Sequence, residues 1–284
     1  MAGTDPKDLE RALSERVVVV LVQPQYAGNV GATARAMKNM GLRRLVLVDP
    51  PAYDAEQARW MAPGCDDLLA GIRIVSRLEE ALDGAHRVIA TTARHRRRGQ
   101  LVYEPRQAAA VALDDAEGTT AILFGREDYG LDKAAIDISH SVLRIPTLEH
   151  ASLNLGQAVL VVANALFEEA RSRGLAATGR TLGGSRSRRS TRSAARGSSR
   201  DRRADLSAIT PAAEDLIGLL ERVGYTRGTR PEKIRGTAMA ALQSADLRVR
   251  EVEALRGMVR RVQWALNHPG EDWSLSAKEN RRED

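Results

Sequence analysis

The chain has almost no cysteine, few aromatic side chains and no apolar run of membrane-spanning length. A lone Cys65 excludes an intramolecular disulfide, which fits a reducing compartment and favours the cytoplasm. The opening stretch MAGTDPKDLERALSER alternates acids and bases without an apolar core, so neither a secretion signal nor a membrane anchor is expected there. His86, His95, His140, His150 and His268 are scattered, and none pairs with Cys65 at zinc spacing, so no metal site is expected. Gly28-Asn29-Val30-Gly31 is not followed by Lys-Ser/Thr, and Gly-x-Gly-x-x-Gly is absent, which argues against ATP and NAD as ligands. Gly-x-Ser-x-Gly is also missing, which argues against an exposed serine nucleophile.

What the chain does have in excess is arginine, in one place. Residues 171–204 carry eleven Arg, seven Ser and five Gly against a single Asp, a net charge of +10. The whole chain is +6, so everything outside that segment sums to −4 and the basic pI describes a linker rather than a folded body. Such a composition buries too little apolar surface to offset the entropy of ordering it, so 171–204 is expected to be a disordered tether. Its arginines suit RNA phosphates, bound by releasing counterions, although a passive solvated spacer has the same composition.

Before the linker, short apolar runs alternate with helical patterns. Arg16–Val22 is continuous and β-branched, as expected of a central parallel strand covered on both faces. Leu45–Val48, Ile72–Val75, Arg87–Thr91, Thr120–Phe124 and Val142–Ile145 continue the series. A helix is expected to start at Gly28-Asn29 and stop at Gly41; others cover Arg77–Leu82, Pro105–Leu113 and a long stretch from about Leu155. About six strands alternating with helices predict an α/β fold with a mainly parallel sheet, in which ligands bind beyond the carboxyl ends of the strands. Those ends carry Gln23–Asn29, Thr91-Thr92-Ala93, Gly125–Glu127 and Ile145–Asn154. Beyond the linker, Thr210-Pro211 reads as a helix start, and Leu255, Met258, Val259, Val262 and Leu266 read as the core stripe of a later helix. The expected organisation is an α/β domain over 1–170, the linker over 171–204 and a small helical module over 205–284.

Taken together, PQYAGNVGATARAMKNMGL, FGREDYGL and RIPTLEHASLNLGQAV resemble the three ordered motifs of the SPOUT RNA methyltransferases, over roughly Arg16 to Arg171. The resemblance implies a deep trefoil knot around the third motif and S-adenosylmethionine as cofactor. It is strongest to a subgroup with a helical C-terminal extension, which methylates the ribose 2′-oxygen of tRNA nucleotide 32, a cytidine or uridine. It further implies that Thr91, Thr92, Ala93, Gly125, Ile145, Ser152, Leu153 and Asn154 hold the cofactor, that Arg35, Asn29 and Glu127 form the catalytic set, and that the protein works as a homodimer. Read without the resemblance, Asn29 is equally a helix cap, Glu127 a brace for its turn and Arg35 a surface charge. Arg94, Arg96, Arg97 and Arg98, following the cofactor turn, are expected to touch RNA phosphates. rRNA, including a ribose methylated for antibiotic resistance, is the alternative substrate; an RNA-binding protein without chemistry is the alternative class.

Overall fold

Val17–Val22 is buried on both faces, as its unbroken apolar run requires. The computed structural model of the chain describes residues 5–51, 53–93, 101–114, 118–148, 152–175, 203–225, 231–245 and 247–268. The chain divides into two compact units, Met1–Ser193 and Ala194–Asp284.

The first unit runs α1 (Pro6–Arg16), β1 (Val17–Val22), α2 (Ala27–Asn39), β2 (Leu45–Val48), α3 (Ala55–Trp60), α4 (Asp66–Ala70), β3 (Arg73–Val75), α5 (Leu78–Ala81), β4 (Arg87–Thr91), β5 (Val102–Tyr103), α6 (Pro105–Ala112), β6 (Thr120–Phe124), α7 (Lys133–Asp137), β7 (Ser141–Leu143) and α8 (Leu155–Ser172). The described strands form one sheet in the order β3-β2-β1-β6-β4-β7-β5, and every pairing in it is parallel. Val17, Val19 and Leu21 join a core cluster with side chains of α1, α2, α6 and α8, while Val18 and Val20 are buried on the opposite face. This period of two is the reason a parallel strand covered on both faces shows no polar alternation. Chain order reverses between β1 and β6, which makes their carboxyl ends the switch point of the sheet. β7 lies between β4 and β5, both of which precede it in sequence.

Several elements differ from the sequence expectation. Arg16 ends α1 rather than opening β1, because Asp5 caps an amphipathic helix that buries Leu9, Ala12 and Leu13. The two-residue β5 is too short to leave a periodic signal. Gly156, early in α8, has a packing reason: a Cβ there would sit 2.8 Å from the Cβ of Ala32, so its absence lets α8 approach α2. Helix α8 also runs past residue 170. Arg173, at its carboxyl end, donates to the carbonyls of Leu113 (3.1 Å) and Ala110 (2.9 Å), and Leu175 packs on the core, so the ordered body reaches at least Leu175. Residues 176–202, most of the expected linker, lie outside the described residues.

The second unit contains α9 (Leu206–Arg222), α10 (Pro231–Ser244) and α11 (Val249–Asn267). α9 begins before Thr210-Pro211, because the Asp205 side chain caps it at the Ala208 N–H (3.1 Å) and Leu206 and Ile209 are buried. Pro211 therefore stands inside the helix, where burial and the cap offset the hydrogen bond it cannot donate. The expected stripe on α11 is core only in part: Val259 is buried, as is Val252 outside the stripe, and Leu255 is half-buried, whereas Met258 is 65% exposed and Val262 and Leu266 are each 45% exposed. Helical spacing identified an apolar face without showing which way it points.

His140 gives the first unit a pH dependence. Its Nδ1 accepts from the Val88 N–H at 2.9 Å and its own N–H donates to the Val88 carbonyl at 2.9 Å, so protonation would break the first bond. Burial, with Arg87 nearby, lowers its pKa to about 4. Because the unfolded chain takes up this proton near pH 6.5 and the folded chain does not, stability is retained above pH 6.5 and falls as pH drops toward 4. Denaturant melts should show a loss on the order of 1–2 kcal/mol between pH 7 and 5 from this group, at about 1.4 kcal/mol per pKa unit. His140→Gln, which can still accept the Val88 bond but does not titrate, should flatten that slope.

Candidate active site

Three chain segments meet beyond the sheet's switch point. Gly125 and Glu127 follow β6, Gln25 and Asn29 follow β1, and Asn154 caps α8. Glu127 accepts from the Asn29 side-chain amide through Oε1 (2.7 Å) and from the Gln25 backbone N–H through Oε2 (2.9 Å). Asn29 in turn accepts from Asn154 Nδ2 at 2.9 Å, and Asn154 Oδ1 accepts from the N–H groups of Gly156 (3.0 Å) and Gln157 (3.4 Å). One hydrogen-bonded series thus runs from the carboxylate of the second motif, through the first, to the helix start of the third. Asn29 is not the cap of α2: the helix begins at Ala27 after Tyr26, and the Asn29 amide donates to Glu127 and accepts from Asn154.

Beside this series is a cleft of about 230 Å³. Thr91, Thr92, Ala93, Gly125, Glu127, Ile145, Ser152 and Leu153 all line it, so the turns after β4, β6 and β7 converge as the sequence suggested. Its apolar side comes from Phe124, Leu143, Leu155 and Ala158, which sequence reasoning did not single out because they are ordinary core residues. Thr91 is fixed by donating its hydroxyl to the Leu123 carbonyl at 2.8 Å. Asn154, the cap of α8, is not among the lining residues; its amide donates to Asn29 beside the cleft. Arg35 is exposed on α2, away from the cleft lining, and makes no hydrogen bond or ion pair among the described residues. Arg94, Arg96, Arg97 and Arg98 lie outside the described residues.

Gly125 is needed for close approach rather than for an unusual φ. A Cβ on it would lie 2.1 Å from both Gly130 C and Leu131 N. That approach is enforced by the turn that follows, in which Gly130 N–H donates to the Arg126 carbonyl (2.8 Å) and the Arg126 guanidinium grips Asp128 with two bonds (3.0 and 2.9 Å). This pair raises the pKa of Arg126 and lowers that of Asp128, chiefly through the side-chain hydrogen bonds.

Residues 16–164 match the family model described as the SpoU rRNA Methylase family. The chain belongs to that family. Among SpoU relatives, the tRNA (cytidine/uridine/adenosine-2′-O-)-methyltransferase TrmJ of Pseudomonas aeruginosa is 42% identical over 169 residues, which cover 58% of this chain and 64% of that protein. The tRNA (cytidine/uridine-2′-O-)-methyltransferase TrmJ of Photorhabdus laumondii is 40% identical over 150 residues, 52% of this chain and 62% of that protein. The chain thus matches a little under two thirds of the length of these curated relatives. Among solved structures, TrmJ from Z. mobilis ZM4 superposes with a TM-score of 0.70 at 28% identity, covering 87% of this chain and 98% of that one. Within this SpoU chain no described helix is long and apolar enough to cross a membrane, and no metal-binding cluster occurs among the described residues.

Proposed function

We propose that the chain transfers a methyl group from S-adenosylmethionine to the ribose 2′-oxygen of a tRNA nucleotide, a cytidine or uridine at position 32. The observation that carries this reading is the Glu127–Asn29–Asn154 series beside a cleft built from three strand-end turns. The cleft fits the cofactor chemically: apolar side chains offer a surface for adenine, threonine and serine hydroxyls line the remainder, and Glu127 complements a cationic sulfonium. When bound, the cofactor supplies an activated methyl on that sulfonium. Thr91, Thr92, Ala93, Gly125, Ile145, Ser152, Leu153 and Asn154 would hold it. Glu127 has both oxygens engaged, so it acts as a positioning residue that fixes Gln25 and Asn29 rather than as a free base. Arg35, exposed and uncommitted, would clamp the phosphate next to the target ribose and orient the 2′-hydroxyl; a guanidinium keeps its charge, which makes a base role costly. Tritiated methyl transfer into bulk tRNA, with rRNA in parallel, tests the reading. Label in rRNA alone moves the substrate, and label in neither leaves an RNA-binding protein.

The same reading includes a trefoil knot and a homodimer. Support for the knot is the insertion of β7 between two earlier strands, followed by α8 packing back on α2. Support for the dimer is the exposure of Tyr26, Trp60 and Met61 at the starts and ends of α2 and α3, and of Leu160 and Val161 on α8. A monomer in sedimentation at micromolar concentration would remove the dimer.

The arginine-rich segment supplies RNA affinity in this scheme. A chain ending at Leu175, which keeps the Arg173 bonds to α6, should bind S-adenosylmethionine normally yet lose most tRNA methylation at about 0.15 M salt, chiefly through a raised KM, because affinity depends steeply on the phosphates neutralised. Equal methylation by the shortened and full chains would show that residues beyond 175 are dispensable.

A further inference from the structure

A second cavity, of about 610 Å³, opens beyond the ends of β1, β2 and β3, on the other side of the turn from Gly125 to Leu131. Arg126, Tyr129, Gly130 and Leu131 line both cavities, so that turn is their shared wall. Gln23 and Asp49, which follow the adjacent strands β1 and β2, are the non-glycine residues with positive φ (49° and 45°) among those described. Both line this cavity, and Gln23 Nε2 donates to Asp49 Oδ2 at 2.8 Å. Two neighbouring strand ends are thus held in a costly conformation and joined by their side chains. It is also wired to the first site: Gln25 donates its side-chain amide to the Gln23 carbonyl (2.7 Å) and its backbone N–H to Glu127 (2.9 Å).

The cavity's polar groups differ in what they have left to offer. Its cations are committed: Arg77 to Glu80, Arg126 to Asp128, and Lys133 to Asp137. Asp49 Oδ1 and Gln23 Oε1 carry no hydrogen bond among the described residues, so both remain open as acceptors. Ser76 adds a hydroxyl, but Asp49, Glu79 and Asp132 line the cavity while Arg77, Arg126 and Lys133 are each paired with a carboxylate outside its lining, so the local charge is negative and disfavours a phosphate, whereas a group bearing N–H donors would be complemented. Val22, Val48, Leu78 and Ile138 supply apolar lining beside the polar Ser76, Glu79 and Asp132, and Tyr129, 69% exposed, presents an aromatic ring at the rim. A planar apolar body with a donor edge is the description of a nucleobase carrying an exocyclic amino group.

Resting on the proposed RNA substrate, we infer that this cavity receives an amino-bearing base of the RNA strand other than the target nucleotide, which is cytidine or uridine alike, with Asp49 and Gln23 as the residues that select that base. An Asp carboxylate accepts from the cytosine amino group and repels the uracil carbonyl at the same position, a discrimination of about 1–3 kcal/mol in comparable pairs. Asp49→Asn is the informative change, since Asn tolerates positive φ and can keep the Gln23 bond through its oxygen while turning an N–H donor into the cavity.

The test is titration of the full chain with cytidine and uridine 5′-monophosphates, alongside methyl transfer into tRNA and S-adenosylmethionine binding. The wild type should prefer the cytidine nucleotide by roughly tenfold, and Asp49→Asn should abolish or invert that preference without changing cofactor affinity or melting temperature. Equal binding of the two nucleotides by the wild type, or an unaltered preference in the variant, overturns the inference even where tRNA is methylated. A preference that behaves as expected in a protein that methylates no RNA keeps the base site and overturns the proposed activity instead.

Discussion

Gly125→Ala should lower S-adenosylmethionine affinity on the order of 100-fold, and with it methyl transfer, while leaving a folded protein. The alanine Cβ would stand 2.1 Å from Gly130 C and Leu131 N and 2.5 Å from the Gly130 carbonyl oxygen. These are backbone atoms, so no side-chain rotation relieves the clash; the turn from Arg126 to Gly130 has to open. Overpacking of this kind costs about 1–3 kcal/mol and more where backbone is the obstacle, and each 1.4 kcal/mol is a factor of ten in affinity. The opening would also displace Glu127, and so release Gln25 and Asn29 together. Gly130→Ala is the control. Its Cβ would meet nothing within 4 Å, so the change costs only the left-handed φ of 70°, about 1–2 kcal/mol. Calorimetric titration of both variants with S-adenosylmethionine separates the two. Comparable affinity losses would mean that the close approach at Gly125 does not shape the cleft.

This contrast illustrates what could be read from the chain and what could not. The central strand β1 and the glycine stop at Gly41 follow from local chemistry: a β-branched run has one environment that suits it, and Gly41 holds the φ of 73° that favours glycine. Convergence of Thr91–Ala93, Gly125, Ile145 and Ser152 was legible because parallel strands place their carboxyl ends along one edge. The reason for Gly125 was not, since its approach to Gly130 is set by a turn closed by the Gly130 N–H bond to the Arg126 carbonyl. Nor was the commitment of Asn29 to Glu127 and Asn154, which joins residues about a hundred positions apart through a strand order that periodicity does not encode. The Gln23–Asp49 pair is hidden for the same reason: it exists only because β1 and β2 are paired in register. On α11, Met258, Val262 and Leu266 kept their helical spacing and still faced away from the core, because spacing fixes a face relative to its helix and not relative to its neighbours.

Arg35→Ala should reduce single-turnover methyl transfer to tRNA by about 1,000-fold, within the 10²–10⁴ range associated with positioning and charge stabilisation at a reacting group. Its cofactor affinity should be unchanged, since Arg35 lies outside the cleft lining. Asn29, Glu127 and Asn154 are held to one another, whereas the guanidinium of Arg35 is exposed and makes no hydrogen bond or ion pair among the described residues. A cation so displayed has no protein partner to give up on meeting a phosphate, and removing it should reduce the dependence of log affinity on log salt by about one unit. Arg35→Lys then separates a clamp from a base. Lysine keeps the charge but not the two-pronged geometry, so a clamp retains part of the rate with a nearly flat pH profile between 6 and 8. A base would instead show a rate rising with pH in the wild type and a displaced rise in the lysine variant. A flat profile together with near-wild-type rates in Arg35→Lys and Arg35→Ala would remove Arg35 from the chemistry altogether, leaving orientation of the 2′-hydroxyl to groups on the Glu127–Asn29 side of the cleft.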